Sequence, residues 1–270
     1  MTTWLTGFVI RARSSLGRGC RLAACVLALH PAPALATCFP MVQGPARVIP
    51  AALPADHHVR ISFLGHSSFL IETPGGASAI TDYNGYVRAA APPSIVTMNN
   101  AHSTHYASVV EPGVEHVLKG WGEGGGFARH DVKVADLRVR NVPTNVRDFG
   151  GTRYNGNSIF VFETLDLCIA HLGHLHHELT DDHLGKLGII DVLLVPVDGS
   201  YTASHQTMLR VIEQIDPPVI IPMHYFGSSV LARFIDLIRG RYEPVFFEAP
   251  SIELARATLP YRKLIVLPGT

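Results

Sequence analysis

The sequence predicts a mixed α/β domain built as a four-layer αββα sandwich, two sheets with helices outside them. Two observations carry this. From Val59 the first half runs as a β meander of alternating, turn-punctuated segments. From Thr180 strand and helix patterns alternate, and the strand-length runs are apolar throughout, as in strands covered on both faces. At 270 residues and 47% hydrophobic, the chain can bury a large core, and everything after residue 58 reads as one domain.

In chain order, VRISFLGHSSFLIET alternates, turns at Pro74-Gly75-Gly76, and ASAITDY resumes as a second strand. PSIVTMNN is a third, starting after Pro92-Pro93, and the glycine-rich KGWGEGGGF is a loop. VKVADLRVRNVPT holds two short alternating strands, and NSIFVFETLDLCIAHLG reads as a hairpin turning near Leu165-Asp166. TDDHLGKLG opens a helix on Thr180 or Asp181 as N-cap. IIDVLLVPVDG is a buried strand, SHQTMLRVIEQI an amphipathic helix, PPVIIPMHYF another buried strand and SSVLARFIDLIRG a helix ending at Gly240. PVFFEA and KLIVLPG close the chain.

Before this domain, residues 1–36 read as a secretory leader. Arg11, Arg13, Arg18 and Arg21 precede a short apolar run that ends Ala34-Leu35-Ala36. The expected cut lies between Ala36 and Thr37, placing the mature chain in the periplasm or outside the cell. Residues 37–58 form a Pro- and Ala-rich lead-in, and 59–270 the domain. The apolar run is shorter than the ~20 residues a membrane span needs, so no transmembrane helix is expected in the mature chain. Removal of the leader takes Cys20 and Cys25 with it. Cys38 and Cys168 remain, able to pair in an oxidising compartment, although Cys168 also reads as a small apolar thiol in a buried strand.

Lys plus Arg and Asp plus Glu are 22 each, so there is no basic excess to hold a phosphate backbone, and nucleic acid is excluded as an expected partner. The expected partner is a small-molecule substrate, and the sequence leaves the oligomeric state open. Histidine, at 15 residues, is the informative excess, and its clustering decides what it means. Histidines stand at the ends of four predicted strands: His66, the pair His102 and His105, the group His171, His174, His176 and His177, and His224. Strand ends meet at one rim of a sandwich, where three or four nitrogens could converge on an ion. If the loop at His102 enters a helix, the H-x-x-H spacing puts both rings on one face; it reads equally as a histidine-capped helix N-terminus.

The ordered segments LGHSSFLIE, ITDY, SIVTMNNAHSTH, GNSIFVFE, IAHLGHLHHELTDDHLGKLGIIDVLLVPVDG and VIIPMHY resemble the metallo-β-lactamase superfamily, in particular its ascorbate-6-phosphate lactonase-like branch. The resemblance implies the αββα sandwich with a metal site at one rim. Against the motif T-H-x-H-x-D-H, His102 and His105 are kept, Asn100 stands for the first histidine and Thr104 for the aspartate. Asn145 is the expected occupant of a later loop-histidine position, His174 replaces the bridging aspartate, and His224 keeps the final histidine. Without the bridging carboxylate, two dications would lose the anion that screens their repulsion. One ion per chain is therefore expected, zinc with iron or manganese as alternatives, held by His105, His174 and His224, with His102 close enough to join or replace one of them.

The implied activity is hydrolysis of a lactone, ester or phosphoester through a metal-bound hydroxide. Asp82 resembles the aspartate that orients a ligand histidine, though it also reads as a turn residue. His66 and His177 are the candidate proton donors. Asn100, Asn145 and Tyr225 are the candidate substrate-binding residues, Tyr225 reading equally as a core residue. Two rivals remain: a single-iron oxidase of thiols or persulfides, and a non-catalytic binder of metal or ligand that has lost its enzyme chemistry.

Overall fold

The computed structural model describes residues 57–86 and 89–269. These belong to a compact unit spanning Ala34–Thr270. The expected leader and all but the last two residues of the lead-in lie outside the described residues. The elements in chain order are β1 (Val59–Gly65), β2 (Ser68–Glu72), β3 (Ser78–Ile80), β4 (Ile95–Met98), β5 (His116–Lys119), β6 (Asp131–Val134), β7 (Leu137–Asp148), β8 (Gly151–Thr164) and β9 (Leu167–His171). Then come α1 (Asp181–Leu187), β10 (Val192–Pro196), α2 (His205–Ile215), β11 (Val219–Met223), α3 (Ser228–Ile238), β12 (Glu243–Phe246), β13 (Ser251–Leu254) and β14 (Lys263–Val266).

Two sheets form. One has the strand order β13-β1-β2-β3-β4-β5, the other β12-β14-β11-β10-β9-β8-β7-β6. The alternating strands of the first half turn one face inward. Phe63, Phe69 and Ile71 of the six-stranded sheet meet Phe160, Phe162, Leu194 and Ile221 of the eight-stranded one in a continuous apolar layer. β10 and β11 are parallel and buried at every position, which accounts for their unbroken apolar sequence.

The described helices pack on the outer face of the eight-stranded sheet. Met208, Val211 and Ile212 of α2 and Leu231, Phe234, Ile235 and Ile238 of α3 cover Leu193, Val195 and Ile220. α1 starts at an N-cap on Thr180, whose side chain accepts from the His183 N–H while the His183 ring reaches back to the Thr180 N–H. Among the described residues, the outer face of the six-stranded sheet is covered by loops: Tyr106, Val110, Val114 and Trp121 pack over Ile80, Tyr83, Val96 and Met98.

The structure departs from the sequence reading in two places. β5 and β13 were not expected; both are four-residue edge strands with little alternation to mark them. β7 and β8 run past the sheet as one long hairpin, pairing Val146 with Arg153 and Asp148 with Gly151. Its tip is solvated, so no burial pattern signals it. Of the two readings the sequence left open for Cys168, a paired cysteine and a free thiol, the structure has it disulfide-bonded. The chain's other cysteines, Cys20, Cys25 and Cys38, lie outside the described residues.

What this architecture supplies is a rim. The chain leaves β1 at His66, β4 at Asn99, β9 at Leu172, β10 at Val197 and β11 at His224, all at neighbouring strand ends. Gly173 shapes one exit. Its φ is +60°, and a Cβ there would lie 2.5 Å from the Asn99 side-chain nitrogen and 2.6 Å from the Asn157 side-chain oxygen. Both asparagines are buried, and Asn157 Oδ1 accepts from the His174 N–H at 2.8 Å. Gly173→Ala is expected to cost at least about 2 kcal/mol of stability, read as a lowered urea midpoint at unchanged m-value.

Candidate metal centre

His66, His105 and His224 come from three separate strand exits, yet their ligating nitrogens all lie within 4.8 Å of one another. Each is placed by a local device. At His66 the β1–β2 pairing shifts register between Phe63 and Gly65, and His66 itself takes a φ of 52°. His224 ends β11 with a φ of 56°, its N–H bonded to the His66 carbonyl at 2.7 Å. His105 closes a turn, its N–H on the His102 carbonyl at 2.7 Å.

Two buried carboxylates set the tautomers. Asp82 Oδ2 lies 2.5 Å from His105 Nδ1 and accepts from Ser67 Oγ at 2.6 Å, while its Oδ1 accepts from the Asn99 N–H at 3.2 Å. Asp198 Oδ1 lies 3.0 Å from His224 Nδ1, and its Oδ2 collects the N–H groups of Ser200, Tyr201 and Thr202. Burial raises both carboxyl groups, but the histidine partners and the other hydrogen-bond donors outweigh it. Asp82 and Asp198 are held well below the usual carboxylate range.

With Nδ1–H of each ring given to a carboxylate, His105 and His224 turn their Nε2 atoms toward each other at 3.3 Å. His66 Nε2 is buried beside them with no hydrogen-bond partner. Burial, and then the charges of His224 and His105, push His66 down to about 4, so it is neutral at pH 7. Two nitrogens bound at 2.0–2.1 Å to one tetrahedral ion lie about 3.3–3.4 Å apart. The His105–His224 pair is therefore spaced for a zinc-sized cation, with a His66 nitrogen within 4.8 Å of both.

The other expected ligands stand just outside this trio. The His174 ring is 4.6 Å from His105 and 5.4 Å from His224, and its Nδ1 is buried without a partner. His102 stacks on His174 at 6.3 Å, is exposed, and bonds Thr104 Oγ1. His102 and His105 do not share a helix face. Residues 101–105 form a turn, because Asn99 and Asn100 are already held by Asp82 and by a bridge to Asn157.

Of the remaining sequence candidates, Asn100 lines a cleft of about 460 Å³ beside the trio, its Oδ1 accepting from Arg153 at 2.7 Å. Asn145 lies in the β7–β8 hairpin, where its Oδ1 accepts from the Asn155 N–H, and is not brought to the cluster. His177 is also turned to the backbone: Nε2 accepts from the Asn145 N–H and Nδ1 faces the Glu178 carbonyl. Tyr225 is half-buried against Phe63, between the two cores.

Sequence reasoning missed Asp198 and His176 as site residues. Asp198 had a usable signal, a carboxylate directly after a fully apolar strand. His176 lines the cleft, and its Nδ1 accepts from the Arg147 N–H at 3.1 Å. Its neutral ring therefore carries the proton on Nε2, a buried atom with no partner. Burial, then the Arg147 charge, pushes it down to about 4.

The sequence pattern of the beta-lactamase superfamily domain matches residues 60–224. The chain belongs to that superfamily. Relatives include a metal-dependent hydrolase of Nanoarchaeum equitans, 24% identical over 193 residues, spanning 62% of this chain and 84% of its own. Another, from Pyrococcus furiosus, is 25% identical over 200 residues with the same coverage. A Thermotoga maritima structure assigned to the zinc-dependent hydrolases of the metallo-β-lactamase superfamily superposes with a TM-score of 0.58 at 26% identity, covering 77% of this chain and 98% of its own. A metallo hydrolase from Ignicoccus hospitalis shares the fold at 17% identity and a TM-score of 0.53, covering 79% and 97%.

The superfamily centre leaves a mark on stability. Burial, then the charges of His105 and His224, pushes His174 down to about 2. Below about 6.5 the unfolded chain binds a proton there that the folded chain refuses, so stability falls as pH falls. The metal-free protein is expected to lose stability from pH 7 to pH 5, each such proton contributing a slope of at most about 1.4 kcal/mol per pH unit. His174→Gln should flatten that slope, as urea titrations at several pH values would show.

Proposed function

We propose that this chain is a metal-dependent hydrolase with one ion, held by His66, His105 and His224, acting on a small lactone, ester or phosphoester. The observation that carries this is the pair of Nε2 atoms facing each other at 3.3 Å while the Nδ1 of each ring is held by Asp82 or Asp198. The relatives named as metal-dependent hydrolases support the reaction class.

A single ion is favoured because no carboxylate among the described residues of the centre is left to bridge a second. Asp82 and Asp198 are taken up by histidine Nδ1 and by neighbouring N–H and O–H groups, and position 174 offers an imidazole. Three imidazole nitrogens suit zinc, with iron or manganese as alternatives. When bound, such an ion supplies Lewis acidity and lowers the pKa of water near it. The chain's own residues do the rest. Asp82 and Asp198 hold two imidazoles in the tautomer that ligates. Leu172-Gly173 brings His174 to the wall of the cleft. The His176 Nε2–H is available to donate toward an oxygen that gains charge. We also propose export through the leader over 1–36, so that the reaction takes place outside the cytoplasm.

Elemental analysis of protein purified without a histidine tag is expected to give close to one metal per chain. His105→Ala and His224→Ala should each lower the content to below about a tenth of that, with loss of metal-dependent esterase or lactonase turnover. Re-adding Zn²⁺ should raise the melting temperature of the stripped wild-type protein but not of the variants. A chain that holds no metal and gains no stability from it would be the non-catalytic binder. Iron with oxygen uptake in the presence of thiols would be the oxidase.

A further inference from the structure

The cleft beside the trio is walled by His102, His174 and His176 on one side and by the solvated end of the β7–β8 hairpin on the other. That hairpin end contributes two guanidinium groups, Arg147 and Arg153. Elsewhere arginines such as Arg60, Arg138, Arg140, Arg210 and Arg241 meet carboxylates. Arg147 and Arg153 form no ion pair among the described residues. They touch neutral oxygens only: Arg147 Nη2 the carbonyls of Ser200 and Thr202 at 3.3 and 3.4 Å, and Arg153 Nη2 the Asn100 side chain at 2.7 Å.

Their placement is built into the backbone. The β7–β8 register shifts between Thr144 and Val146, which re-aims the strand at the cleft. Arg153 folds across Gly156, where a Cβ would lie 2.6 Å from its Nε. Among the described residues, the one carboxylate on the cleft wall is Asp148, exposed at the hairpin turn with Oδ1 accepting from the Gly150 N–H. The wall therefore carries two cations against one anion, together with the unpartnered His176 Nε2–H. Apolar surface stands beside these donors: Val146, Phe149 and Tyr201, with Phe226 5.5 Å from Tyr201 and 5.4 Å from His224. A volume of about 460 Å³ suits a metabolite-sized molecule.

We propose that this cleft binds a small organic anion, its carboxylate or phosphate held by Arg147 and Arg153 and its apolar body lying against Phe149 and Tyr201. The proposal deepens the hydrolase reading and rests on it for the fate of the bound anion: the substrate carries a permanent negative charge on the side of the scissile bond away from the histidine trio. Guanidinium forks match the planar oxygens of such groups, and desolvation by the aromatic wall strengthens the contact.

The test is calorimetric titration of the purified, metal-containing protein with benzoate, phenyl phosphate and neutral benzamide, repeated on the Arg147→Met/Arg153→Met double variant and on Arg153→Glu, after circular dichroism and metal content have shown both intact. Benzoate or phenyl phosphate is expected to bind at least tenfold tighter than benzamide. Both variants should lose most of that advantage, and the anion whose affinity falls further identifies the headgroup. Anions that bind no better than benzamide, or that bind the variants as well as the wild type because the metal alone holds them, overturn the proposal. In parallel, kcat/KM for 4-nitrophenyl hemisuccinate is compared with that for 4-nitrophenyl valerate. Turnover of neither ester counts against the hydrolase reading and leaves the titrations to decide anion binding. Turnover of both with no preference for the charged ester, lost or kept in the variants, counts against the anion site alone.

Discussion

The Nε2 atoms of two buried imidazoles, His105 and His224, face each other 3.3 Å apart, and their buried surroundings do little to screen a charge placed between them. The rest of the centre depends on that juxtaposition. Each ring is kept from turning away by a carboxylate on its far nitrogen, and each carboxylate is itself fully committed. Asp82 is pinned by Ser67 and by the backbone of Asn99, Asp198 by three successive N–H groups and the Thr202 hydroxyl. The two rings are ordered without an ion, which is what tight binding by imidazole ligands requires.

The backbone carries part of the cost. His66, Asp82 and His224 all adopt left-handed conformations, with φ of 52°, 50° and 56°. For residues other than glycine each is unfavourable by on the order of 1 kcal/mol, and histidine and aspartate tolerate it better than most. Such strain persists only where surrounding structure fixes it. Here the parallel strands β10 and β11, buried along their whole length, and the bond from His224 N–H to the His66 carbonyl do so. A further histidine, His171, braces the same corner without facing the centre. Its Nδ1 accepts from the Gly173 N–H, so its Nε2–H donates to the Ser67 carbonyl.

The sandwich was legible because its signals are those of burial. Alternation marked β1 and β2, unbroken apolar runs marked β10 and β11, and the amphipathic spacing of α2 put Met208, Val211 and Ile212 inward. The convergence of histidines at strand ends could also be read, since topology alone brings those ends together. Which nitrogens come closest could not. The approach of His66 to His105 and His224 depends on a bulge after Phe63 and a left-handed turn, both set by tertiary context. His177 looked equivalent to its neighbours in HLGHLHH, yet its ring is taken up by the backbone of Asn145. The hairpin tip from Arg147 to Tyr154 was opaque for a simpler reason. With both faces in solvent it has no period to detect.

That last feature bears on how such a protein can change over time. The hairpin tip meets the cleft but contributes nothing to either apolar layer, and Phe149 at its turn is fully solvated. Substitutions, insertions or deletions there leave the strand exits and their histidines in place. Ligand preference can therefore diverge among descendants of this chain while the reacting centre is inherited intact.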